Sequence, residues 1–278
     1  MEGRLVPPLD GQIQCFPRDR WRDEFPLAAT IGLDTIEWIY DMSGILANPL
    51  CFETGVEEMK ALARAHNVQV GSLCADYFMD KPLVRASPAE WEERLERLSW
   101  LVCRCGALGI GRIVLPFVDS SRIEMKADED AAVAALNHVL PVAKEQKVEI
   151  HLETSLSPSG FADLLTRLPD PTFKVNYDSG NSAALGYDPR EEFKAYGERV
   201  GSVHIKDRVL HGATVPIGAG SADFDALRKC LRSTSYDGDV ILQVARGEPG
   251  KEAEWTARNR RLVLDWWGGT GAAMGSAR

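Results

Sequence analysis

The sequence has no apolar run long enough to cross a bilayer, and Met1-Glu2-Gly3 does not open a secretory signal. It also lacks clusters of lysine and arginine and any interleaving of aromatic with basic residues. With 32 Lys+Arg against 41 Asp+Glu, the formal net charge is −9. Nucleic acid and anionic membranes are therefore excluded as main partners. Cys15, Cys51, Cys74, Cys103, Cys105 and Cys230 are scattered through apparent helices and strands, without the spacing of a disulfide framework. They read as reduced and the protein as cytoplasmic, with Cys103 and Cys105 in a helix rather than a metal knuckle.

What is present is an ordinary globular composition, 45% hydrophobic and 26% charged over 278 residues, enough for one large core. Short apolar runs alternate with longer amphipathic ones. Strands are expected at Thr35–Ile39, Val68–Cys74, Arg112–Pro116, Val148–Glu153, Phe173–Asp178, Val200–Lys206 and Val240–Ala245. Helices are expected at Glu53–His66, Pro88–Leu108, Lys126–Gln146, Gly160–Leu168, Asp188–Glu198, Ala222–Leu231 and Lys251–Trp267. Near-continuous apolar strands followed by helices imply a parallel sheet covered by helices. The eighth strand falls to Met1–Val6, so the reading is a (β/α)8 TIM barrel with a short or truncated first strand. Residues 1–267 form the single domain, and 268–278 a disordered tail. An open doubly wound sheet is the other arrangement, but no glycine-rich turn after an early strand supports it.

Residues two apart on a strand share a face. The inward faces therefore carry His151 and Glu153, then Asn176 and Asp178, then Ser202, His204 and Lys206, then Gln243. These are consecutive strands about 4.8 Å apart, with polar groups near their carboxyl ends, where a barrel places its chemistry. Glu153, Asp178, His204 and the amide of Gln243 form an oxygen-rich set with one nitrogen. It suits Mn²⁺, Mg²⁺ or Co²⁺, with Zn²⁺ also possible. Taken singly, Glu153 and Asp178 would read as helix caps and His204 as a core histidine; together they read as a site.

Lys206, Arg208, His211 and Arg246 follow these strand ends and are expected to hold a phosphate or polarise a sugar oxygen, or else to form internal ion pairs. Gly218-Ala219-Gly220 could offer backbone amides to an anion, or be a plain loop. Glu37, a lone acid in "TIEWIYD", needs a partner if it faces inward: a substrate hydroxyl or an inner Arg or Lys. Asp76 occupies a similar rim position. His66 and His138 fall on helices as surface or packing residues.

The segments "HLETS", "NYDSGNSAALGYDPREEF", "GSVHIKDR" and "VPIGAGSADF" resemble the sugar phosphate isomerase/epimerase family with the xylose isomerase-like barrel. The nearest members are of the hexulose-phosphate isomerase and xylulose-phosphate epimerase kind. The resemblance implies a metal-dependent enzyme acting on a ketose or ketose phosphate by proton transfer next to the carbonyl through an enediolate. Alternatives are a keto-sugar or inosose lyase using the same metal, and a non-catalytic sugar-binding protein. An abasic-site endonuclease would need a histidine-rich, multi-zinc site that five histidines do not supply. The resemblance makes Glu153, Asp178 and His204 metal ligands and puts Gln243 where the family usually has a fourth ligand, a glutamate. It puts Asn181 where relatives contact substrate with His or Asn, with helix capping as the other reading. Glutamine accepts no proton at neutral pH, so Glu153 becomes the expected base, with Lys206, Glu37 or Asp76 as a second group for two-face chemistry. A homo-oligomer is expected.

Overall fold

The computed structural model describes residues 1–9 and 11–268. Seven parallel strands form one sheet: β1 (Thr35–Ile39), β2 (Gln69–Cys74), β3 (Arg112–Phe117), β4 (Glu149–Thr154), β5 (Phe173–Asp178), β6 (Val200–Ile205) and a last strand at Val240–Leu242. Their order in the sheet is their order in the chain, so each connection is a crossover long enough to carry a helix. Those helices pack outside. They include α2 (Glu53–His66), α4 (Pro88–Leu108) and α5 (Lys126–Gln146), whose expected bounds are met to the residue. α4 shows why: Ser87 and Glu90 form a reciprocal capping box, Pro88 opens the first turn, and Gly109 closes the helix at φ +82°.

Closure comes from the chain's first residues. Glu37 N–H donates to Met1 O at 2.8 Å, Glu2 N–H donates to Leu242 O at 3.4 Å, and Glu2 bridges Glu37 in parallel. The segment thus lies between the first and last strands of the sheet, a short bridging stretch in a nearly closed TIM barrel. Trp21, Phe25 and Trp38 pack outside it, with Trp21 and Trp38 edge to face at 5.6 Å.

The elements that composition did not disclose are short. They are α1 (Glu24–Thr30), α3 (Tyr77–Asp80), α7 (Ser179–Leu185), and the hairpin of β7 (Asp207–Arg208) with β8 (Thr214–Val215). The outer helices α6 (Pro158–Thr166), α8 (Pro189–Tyr196), α9 (Phe224–Ser233) and α10 (Glu252–Gly268) differ from expectation by a residue or two at each end, apart from a 3-10 turn at Gly197–Arg199. The last strand, β9 (Val240–Leu242), stops short of the expected Ala245, and the side chain of Gln243 just beyond it is buried in the barrel. Gly268 ends α10, and residues 269–278 of the expected tail lie outside the described residues. All six cysteines are free thiols, and no helix among the described residues is long and apolar enough to cross a membrane.

The barrel interior is polar, which is unusual for a space that branched apolar side chains commonly fill. Glu2, Arg4, Glu37, Ser72, His151, Asn176, Ser202, His204 and Gln243 are all buried there. Burial of so many polar groups is tolerable only if they bond to one another, and they do so in a network ending at the carboxyl ends of β4, β5 and β6.

Candidate metal and substrate site

Asp178 ends β5 and pairs in register with His204 on β6. Its Oδ1 accepts the backbone N–H groups of Gly180 and Asn181, each at 2.8 Å, and so caps α7. Its buried Oδ2 has no hydrogen-bond partner and faces His204 Nδ1 at 3.9 Å. The capping reading of Asp178 therefore holds for Oδ1, which leaves Oδ2 facing the imidazole.

Glu153 near the end of β4 is held from two sides: Asn181 Nδ2 donates to Oε1 at 2.5 Å and Asn176 Nδ2 donates to Oε2 at 2.7 Å. His204 Nδ1 lies 3.6 Å from Glu153 Oε2, and Asn176 Nδ2 lies 3.2 Å from the same nitrogen. On the far side, His204 Nε2 meets Glu37 Oε1 at 2.7 Å. A proton kept on Nε2 beside Glu37 would leave Nδ1 to a cation between the two carboxylates, the arrangement in which an outer carboxylate orients a metal-ligating histidine. Ligand atoms of Glu153, Asp178 and His204 all lie within 4.8 Å of one another. The Asp178 oxygen that accepts no hydrogen bond and this imidazole orientation make the three residues fit one divalent cation.

The charges are mutually adjusted. Burial would raise the Glu37 carboxyl, but His204 and Ser72 hold it down at about 2. Burial would lower His204, yet Glu37 and Glu153 raise it to about 10. Burial, then Asp178, push Glu153 up to about 7.

Gln243 reaches this group through Lys206. Lys206 Nζ donates to Gln243 Oε1 at 2.8 Å and stands 3.5 Å from Asp178 Oδ2. Gln243 Nε2 donates to Glu2, whose other oxygen accepts from Gln14 at 2.9 Å. With a donor on one side and a carboxylate on the other, the amide has one satisfactory orientation, carbonyl toward the site. Gly180 is where Lys206 passes: a Cβ there would lie 2.6 Å from Lys206 Cγ. A second group of possible ligands, Glu2, Glu37 and Cys74, is absorbed by these same bonds, and Cys74 Sγ donates to Asp76 at 3.2 Å.

Above lies a cavity of about 390 Å³, within the range of about 300–1,000 Å³ usual for small-molecule sites. Glu153, Asp76, Asn181, Lys206, Arg208 and Gln243 line it. His211 lines an adjoining pocket of about 200 Å³ that shares Asn181 and Arg208. Two expected substrate contacts lie elsewhere. Glu37 is wholly buried beneath His204, and its partner is that imidazole rather than a substrate hydroxyl, Arg or Lys. Arg246 is turned away, donating to the backbone oxygens of Ile13, Val6 and Gly3 at 2.9, 2.9 and 3.0 Å, so it ties down the closing segment.

Other residues of the site were not singled out from the sequence. Glu2 sits in a stub too short for alternation to show. Asp41 enters the cavity wall from the loop after β1, Asp80 from the end of the short α3 and Asp119 from the 3-10 turn after β3, segments too short for periodicity to carry a signal. Asn176, by contrast, was placed inward by its spacing from Asp178, and only its grip on Glu153 was missing.

A family model described as xylose isomerase-like TIM barrel matches residues 25–264. An L-ribulose-5-phosphate 3-epimerase from Escherichia coli strain K12 is 25% identical over 260 residues, covering 88% of each chain. Among solved structures, D-allulose 3-epimerase from Methylomonas sp. in complex with D-allulose superposes with a TM-score of 0.73 at 16% identity, over 95% of each chain. An IolI protein with a binding zinc atom gives 0.74 at 17% identity, over 95% of this chain and 96% of that one. With the family model spanning all seven strands of the sheet, the chain belongs to the xylose isomerase-like TIM barrel family.

Proposed function

We propose that this chain is a divalent-metal-dependent sugar isomerase or epimerase that moves a proton on the carbon beside a ketose carbonyl. The observation that carries the reading is the convergence of ligand atoms from Asp178, Glu153 and His204, with Glu153 also lining a substrate-sized cavity. The names of relatives, a ribulose-phosphate epimerase and an allulose epimerase among them, point to the same chemistry. Glu153, Asp178 and His204 would hold the cation, with the Gln243 carbonyl as a fourth donor. The oxygen-rich set suits Mn²⁺ or Mg²⁺. The cation would supply Lewis acidity, polarising the carbonyl so that the neighbouring C–H becomes acidic.

Glu153 is the base. It lines the cavity, and its carboxylate is gripped at the end of β4, within reach of a substrate held there. Asn176 and Asn181 fix the carboxylate's orientation, which is how a static side chain gains effective concentration. Lys206 lines the cavity beside Gln243 and supplies a proton or a positive charge to the developing substrate oxygen. Since Gln243 accepts no proton, transfer on one face is the simplest outcome, an aldose–ketose isomerisation. Epimerisation would use Lys206 or Asp76 from the opposite side.

The test is solvent deuterium incorporation from D2O into a panel of ketoses and ketose phosphates with Mn²⁺ present, followed by NMR. Exchange at the carbon next to the carbonyl, abolished by chelator, is expected. Exchange with loss of water would make the enzyme a lyase. Tight sugar binding with no exchange would make it a binding protein.

A further inference from the structure

Resting on that reading, we infer that the substrate is an unphosphorylated polyol sugar, not a sugar phosphate. A phosphate monoester needs several convergent charge-assisted donors, from Arg, Lys or a row of backbone amides. The arginines, the lysine and the rows of backbone amides around this cavity that could play that part are already committed.

The clearest case is the turn Gly218-Ala219-Gly220. Its amides do converge on an anion, but that anion is the buried carboxylate of Asp207. Oδ2 accepts from Gly218 N at 2.7 Å and Gly220 N at 3.0 Å, and Oδ1 accepts from Ala222 N at 3.1 Å. Gly220 admits nothing larger, since a Cβ would stand 2.2 Å from Asp207 Oδ1. The amides that open α7 are likewise taken by Asp178 Oδ1.

The cations are no freer. Arg246 spends its guanidinium on three backbone oxygens of the closing segment. Arg208 donates to Asn181 Oδ1 at 2.9 Å and twice to Gly212 O, at 3.1 and 2.9 Å. Lys206 bridges Gln243 and Asp178. His211 shares its pocket with the carboxylate of Asp119.

The wall itself opposes a dianion. Its described residues include five carboxylates (Asp41, Asp76, Asp80, Asp119 and Glu153) against the two cations Lys206 and Arg208. A divalent ion between Glu153 and Asp178 would balance those two ligands and leave four carboxylates facing two cations. Gln12 and Ser43, also on the wall, are neutral hydrogen-bonding side chains matched to sugar hydroxyls.

The experiment compares matched pairs with the Mn²⁺-loaded enzyme: L-ribulose against L-ribulose 5-phosphate, and D-fructose against D-fructose 6-phosphate. Proton exchange is followed from low salt to about 0.3 M, where screening is strong. The neutral sugar of the active pair should have a kcat/KM higher by about tenfold or more, from charge repulsion and missing donors. Residual activity on the phosphate should rise with salt as repulsion is screened. The double variant Asp80→Asn/Asp119→Asn should shift the ratio several-fold toward the phosphate; both side chains are exposed, and Asn tolerates the φ of +49° at position 119. A phosphate-preferring enzyme whose activity falls with salt overturns the inference and leaves the isomerase reading standing. An unchanged ratio in the double variant overturns the role given to the rim charge. Absence of exchange with every sugar overturns the functional reading and this inference with it.

Discussion

Glu37 Oε1 lies 2.7 Å from His204 Nε2, with both side chains wholly shielded from solvent. This contact aims Nδ1 at Glu153 and Asp178, so Glu37 would act on a cation held there without touching it. Glu37→Gln keeps the shape but weakens the hold on the imidazole, and metal affinity should fall by about 10–100-fold. Titration with Mn²⁺ monitored by calorimetry measures it; unchanged affinity would show that His204 is oriented by other contacts.

Lys206 Nζ stands 3.5 Å from Asp178 Oδ2, close to where a cation would sit. Lys206→Met removes a competing positive charge while retaining much of the stem's volume. Metal binding should tighten by about tenfold, while proton exchange slows because the group facing the substrate oxygen is lost. The two effects have opposite signs, so a variant that merely damages the fold, weakening both, is readily told apart.

Glu24, buried against the closing segment, accepts from Leu5 N–H at 3.1 Å, and burial pushes its pKa up to about 7. A carboxyl whose folded pKa lies above its unfolded value favours the folded state most at low pH. That advantage is lost as pH rises from about 4.5 toward 7. Glu24→Gln should therefore gain stability relative to the parent as pH rises across this window, while keeping the Leu5 bond. Urea unfolding of both proteins at about pH 4 and pH 8, on either side of that window, reads the difference. A penalty equal at both pH values would mean that Glu24 is not desolvated as described.

Long periodic elements were legible because they repeat their signal. α4 and α5 each run for 21 residues, and α2 for 14. α7 has seven residues opening Ser-Gly-Asn, poor helix formers, and it forms because Asp178 caps it. The same distinction governs the site. Glu153, Asp178 and His204 stood out because each interrupts an apolar strand at its carboxyl end. Arg246 and Glu37 stood out by the same rule and have different partners, since spacing places a side chain inside the barrel without saying which neighbour it meets. Glu2 shows the converse: a strand this short has no period to read, yet it delivers a buried carboxylate to Gln243.

The family resemblance puts a glutamate where Gln243 stands, so the proposed mechanism leaves one carboxylate, Glu153, to move the proton. Gln243→Glu should tighten metal binding by adding a negative charge. If it also supplies a base on the opposite face, it should raise epimerase over isomerase product. Chromatographic separation of the two products at equal turnover measures this, and an unchanged ratio would make the introduced carboxylate a ligand without a catalytic part.

The most direct test of the account is solvent deuterium incorporation by Glu153→Gln under saturating Mn²⁺, with metal occupancy measured on the same sample. Loss of a general base lowers the rate by about 10²–10⁴-fold, and the account predicts that loss in protein that still holds its metal. Exchange at the parent rate in metal-loaded Glu153→Gln would contradict it and move the base to another residue.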